Sequence, residues 1–119
     1  MMLPLVYETL RASSTVKTLV GTKIYRHGYA PENTVAPYVT WFVVSGLPYD
    51  NVSDAPTGDR YTVQIDCWSG TDAGAESLAK AVRDSLDAGK ITNTVIINNR
   101  EPDTHLFRIG LQADFINPR

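Results

Sequence analysis

The chain has 119 residues, 43% of them hydrophobic and 20% charged, with a net charge of −2. That length suits one compact domain over residues 1–119, with a core large enough to need no staples, and the ordinary apolar fraction excludes a disordered chain. A lone cysteine, Cys67, excludes a disulfide scaffold, the apolar runs fall well short of the roughly 20 residues of a membrane span, and the mild acidity argues against a duplex-coating protein.

The opening segment, MMLPLVYETLR, has neither the basic start nor the long apolar stretch of a signal peptide, so a reducing compartment is expected. From Pro4 to about Arg11, Leu3, Val6, Tyr7 and Leu10 follow helical spacing. Ser13 and Ser14 interrupt it. Ser14 suits the cap of a second short helix, Thr15 to Val20, and Gly21 suits its end. Residues 22–28, TKIYRHG, read as a short strand, and 29–37, with two prolines, as a loop.

Residues 38–45, YVTWFVVS, are β-branched and aromatic, which marks a strand. Residues 46–59, GLPYDNVSDAPTGD, are rich in turn formers and predict a long hairpin loop. Residues 60–68, RYTVQIDCW, alternate: Tyr61, Val63, Ile65 and Cys67 point one way, and Thr62, Gln64, Asp66 and Trp68 the other. The period then changes. Thr71 caps a helix from about Asp72 to Ala88, with Ala75, Leu78, Ala79, Val82 and Leu86 on one face and opposite charges four residues apart on the other. Residues 94–100 form a strand, Glu101-Pro102-Asp103 a turn, and 105–116 a last alternating strand.

This order predicts an α+β fold: an antiparallel β-sheet of four to five strands, with an N-terminal broken helix and one longer amphipathic helix packed on one face. Catalytic and metal chemistry find little purchase. His27, Cys67 and His105 show no paired ligand spacing, and Cys67 shares the apolar face of its strand. The serines sit at cap positions, no glycine pattern fits a phosphate loop, and no acid, base and nucleophile converge. No enzyme activity, metal or cofactor is therefore expected. What stands out is the mixed polar and aromatic side of the 60–68 strand beside the long loop. Tyr49, Asp50, Asp54, Asp59, Arg60, Gln64, Asp66 and Trp68 are the candidate contact residues, because aromatics concentrate at subunit interfaces.

The segments VGTKIYRHGYAPENTVAPYVTW, RYTVQIDCWSGTDAGAESLAKAVRDSLDA and LFRIGLQADF, in this order and spacing, resemble the tail-completion (tail-terminator) family of long-tailed, siphovirus-like bacteriophages. The resemblance implies a virion subunit, assembled in the host cytoplasm, that forms a homohexameric ring on the head-proximal end of the tail tube. Such a ring stops tube polymerisation and docks the head–tail connector, and DNA passes through its lumen without specific binding. The implied partners are further copies of the chain, the major tail tube protein and the connector, with no membrane and no cofactor. Acidic loop residues Asp50, Asp54 and Asp59, if they face the lumen, would repel phosphates and let DNA slide. The alternatives are a head-closure or other neck or minor tail protein and, more distantly, a small α+β ligand-binding module.

Overall fold

A computed structural model describes residues 3–49 and 58–118. The elements run α1 (Val6–Arg11), α2 (Ser14–Val20), β1 (Ile24–Arg26), β2 (Tyr38–Tyr49), β3 (Gly58–Ser69), α3 (Asp72–Ala88), β4 (Asn93–Arg100) and β5 (Phe107–Pro118). The five strands form one sheet in the order β1-β2-β3-β5-β4. The fold is α+β, as expected.

The core lies between the sheet and the helices. Tyr61, Val63, Ile65 and Cys67 of β3 and Ile109, Leu111, Ala113 and Phe115 of β5 face inward from the two central strands. Ala75, Leu78, Ala79, Val82 and Leu86 of α3 pack on them, as the helical spacing requires. The Thr71 hydroxyl accepts from the Gly74 N–H at 3.0 Å and closes the first turn of α3. Val6, Leu10, Val16 and Val20 extend the core, and α1 is tied to α3 where the Ser85 hydroxyl donates to the Thr9 carbonyl at 2.9 Å. The Asn117 amide donates to the Leu3 carbonyl at 2.6 Å, so the first and last described segments are joined.

Four expectations need correction. The sheet is not wholly antiparallel, because β1 pairs in parallel with β2, Ile24 opposite Val39 and Arg26 opposite Trp41. Residues 27–37 carry the chain back along the sheet edge, with His27, Gly28 and Asn33 in left-handed conformations. The expected loop 46–59 is shorter: β2 continues to Tyr49 and β3 starts at Gly58, with Leu47 opposite Arg60. Turn-forming residues hid this, but ladder bonding to β5, Gly58 opposite Pro118, holds β3 extended. The cap of α2 is Ser13, whose hydroxyl accepts from the Val16 N–H at 3.3 Å, one residue before the expected Ser14. Tyr7 is exposed although its spacing placed it inward, since a six-residue helix buries only a narrow stripe, here Val6 and Leu10.

Cys67 is fully buried, and burial, followed by the charge of neighbouring Asp66, pushes its thiol well above the usual range. A raised thiol value removes the reactive thiolate across neutral and mildly alkaline pH. An aromatic disulfide reagent at about pH 8 should therefore leave the native protein unmodified and react stoichiometrically once urea unfolds it; rapid native labelling would contradict this packing.

Candidate interaction surface

All three helices lie on one side of the sheet, so the other side carries no layer among the described residues. Its side chains form rows fixed by register: Tyr38, Trp68, Arg108; Thr40, Asp66, Gly110; Phe42, Gln64, Gln112; and Thr62, Asp114. Three candidate residues meet here: Gln64, Asp66 and Trp68 alternate along β3, with Arg60 on the same side farther along.

Asp66 lies on this open face yet is only 2% exposed. The reason is opposite it. A Cβ at Gly110 would stand 2.7 Å from the Asp66 Oδ1 and 3.2 Å from the Ile97 Cβ, so only glycine lets the carboxylate lie down across β5. Three bonds hold it there. The Gln64 amide donates to its two oxygens at 3.0 and 3.3 Å, and the Arg108 Nη2 donates to Oδ2 at 3.0 Å. The other Arg108 nitrogen, Nη1, donates to Glu101 Oε1 at 3.2 Å. Burial alone would lower the Arg108 value, but its bonds and attraction to Asp66, then Glu101, outweigh that and raise it, so the cation is permanent.

Arg108 also covers the Trp68 ring, 5.2 Å from its centroid, and the indole N–H donates to the Thr40 hydroxyl at 3.0 Å. Tyr38 stacks on Trp68 at 6.1 Å, and Tyr25 meets Tyr38 edge-on at 6.5 Å. Burial raises the Tyr38 phenol, which stays protonated. Trp68 is thus half-buried within its own subunit. Tyr38, Thr40 and Trp68 floor a cleft of about 300 Å³ rimmed by Glu101 and Asp103. At the other end of the face, Arg60 Nη2 donates to Asp114 Oδ2 at 2.9 Å, and the Thr62 hydroxyl donates to Asp114 Oδ1 at 3.1 Å.

Asp59 stands opposite Asn117 on β5, Tyr49 is described as a backbone position of β2, and Asp50 and Asp54 lie outside the described residues. Sequence reasoning missed Arg108, Glu101, Thr40 and Tyr38. A glycine inside an alternating strand, Gly110, was the signal that something approaches the backbone there. Among the described residues no three His, Cys, Asp or Glu side chains gather to hold a metal, and no helix is long and apolar enough to cross a membrane.

The fold defines a class: a small α+β subunit with one helix-covered sheet face and one bare face whose charges neutralise each other. The chain belongs to the family described as tail completion protein gp17, which matches residues 4–116. It is accordingly a structural protein of the phage tail. Its fold is similar to that of a chain in the virion of a native gene transfer agent particle, with a TM-score of 0.66 and 22% identity over 96% of this chain and 92% of that one. No curated protein matches the sequence.

Losing one partner of a buried ion pair costs about 3–5 kcal/mol, whereas replacing both with apolar groups is often neutral. Asp66→Ala should therefore lower the urea-unfolding free energy by about 3 kcal/mol, and Asp66→Leu with Arg108→Met should recover most of that loss. A single variant as stable as the parent would show that the pair does not organise this face.

Proposed function

We propose that this protein closes the head-proximal end of the phage tail tube as a homohexameric ring, ending tube polymerisation and presenting the surface on which the head–tail connector docks. The observation that carries this reading is the family match over residues 4–116, nearly the whole chain. The structural neighbour belongs to a virion particle, which suits a subunit that contacts other virion proteins. The bare sheet face and uncovered strand edges supply contact surface, and a closing ring requires two different surfaces on each copy.

The partners are copies of the chain, the tail tube protein and the connector. DNA traverses the lumen without being held, in keeping with a net charge of −2. Asp50, Asp54 and Asp59 are proposed to face the lumen or a neighbouring subunit, and Gln64, Asp66, Trp68 and Arg60 to lie at a subunit or partner contact. No catalytic step is assigned.

The test is electron microscopy of purified tail tubes mixed with the protein. Rings on one end of each tube, with elongation arrested on adding more tube protein, are expected. Tubes that stay uncapped and continue to grow would overturn the reading. Capping of isolated connectors, but not of tubes, would move the protein to head closure.

A further inference from the structure

The charge pattern of the sheet runs opposite to that of a solitary one. Monomeric sheets keep their edges from pairing by placing charges and prolines there. Here the central strands carry the charges, Asp59, Arg60 and Asp66 on β3 and Arg108 and Asp114 on β5. The twelve residues of β2, YVTWFVVSGLPY, carry none, and β4, NTVIINNR, carries only its terminal Arg100. Both are edge strands for at least part of their length. β4 ends the sheet on one side. On the other side β1 pairs with β2 over Val39–Trp41, and the Gly28 N–H donates to the Trp41 carbonyl at 3.0 Å, so among the described residues the edge of β2 is open from Phe42. Large apolar side chains are exposed on the same two strands: Val44 and Leu47 on β2, the latter 62% exposed, and Val95 and Ile96 on β4.

We infer that these two edges pair with each other between copies of this chain, the Phe42–Leu47 stretch of one copy adding antiparallel to β4 of the next. The contact is head-to-tail, joining two different surfaces, as a ring requires. The two edges also lie at different heights. β4 pairs with Phe107–Ala113 of β5, whereas the open stretch of β2 lies level with Gln112–Ile116. Each added copy is therefore displaced by about 14 Å along the strands while the sheet advances four strands, about 19 Å. Those steps correspond to strands tilted by about 35°, the tilt at which sheets close into barrels. In this register Leu47 of one copy comes opposite Thr94 of the next and Ser45 opposite Ile97, with the bulge residues Val44 and Ile96 flanking the latter pair. Pro48, lacking an N–H, stands just past the paired stretch.

This inference rests on the ring reading above, and the test separates the two. Val44 and Ile96 are both exposed and are remote from the buried core, so Val44→Glu and Ile96→Lys leave the melting temperature unchanged. Each single variant is expected to lose at least tenfold in ring formation on tail tubes, scored by electron microscopy against protein concentration. The double variant brings the introduced carboxylate of one copy within side-chain reach of the introduced ammonium of the next across every junction and should regain most of that loss. Separately, Leu47→Cys with Thr94→Cys should give disulfide-linked oligomers under mild oxidation, with Cys67 too buried to take part. Wild type that forms rings, with single variants that form them equally well or a double variant no better than the singles, overturns the junction alone. Wild type that never forms rings overturns the ring reading and the junction together.

Discussion

The bare face of the sheet is organised by one close approach, Asp66 lying across Gly110. A side chain at position 110 would push the carboxylate away from the sheet and, with it, the guanidinium of Arg108. Arg108 in turn joins Asp66 to Glu101 in the β4–β5 turn and covers Trp68, which is bonded to Thr40 and stacked on Tyr38. One missing Cβ therefore sets the position of groups on β2, β3 and β5. Buried ion pairs add little net stability compared with apolar packing, and their best-attested use is to specify one arrangement among many. On a sheet face without a helical layer, that specification keeps strand register, because a slip of one residue would carry Asp66 into the core.

The same network shapes the proposed function. A bare sheet face is usually a sticky surface. Here its centre is polar and internally bonded, with Gln64, Asp66, Arg108, Asp114 and Arg60 bonded to one another or to Glu101 and Thr62. The apolar, charge-free groups lie at the margins, on β2 and β4. A subunit built this way resists random stacking through its face yet remains open to directed pairing at its rims, which suits ordered addition around a ring. The near-neutral composition that first excluded disorder and duplex binding also agrees with a structural tail protein whose proposed lumen lets DNA pass.

Much of the fold was legible because it follows from local periodicity. The helix Asp72–Ala88 was readable to the residue, since the Thr71 cap and the apolar stripe agree. The alternation of β3 placed Tyr61, Val63, Ile65 and Cys67 inward and Trp68 outward with Gln64 and Asp66. What escaped depends on distant partners. Parallel pairing of the three-residue β1 is set by β2, fifteen residues on, and leaves no period. The true length of the β2–β3 hairpin is set by β5, whose ladder holds residues that are turn formers by composition. Arg108 is 42 positions from Asp66, so their pairing is a matter of register and cannot be read from either segment alone.

The central claim is that ring assembly uses the two uncharged edges and leaves the polar centre of the face as it is. Backbone amide exchange, followed by mass spectrometry in the free subunit and in the assembled ring, tests it most directly. Amides of Val43–Leu47 and Val95–Asn99 should exchange readily in the free chain and become protected on assembly, with β3 and β5 amides protected in both states. Assembly that protects the helical side and leaves both edges exchanging as before would contradict the account.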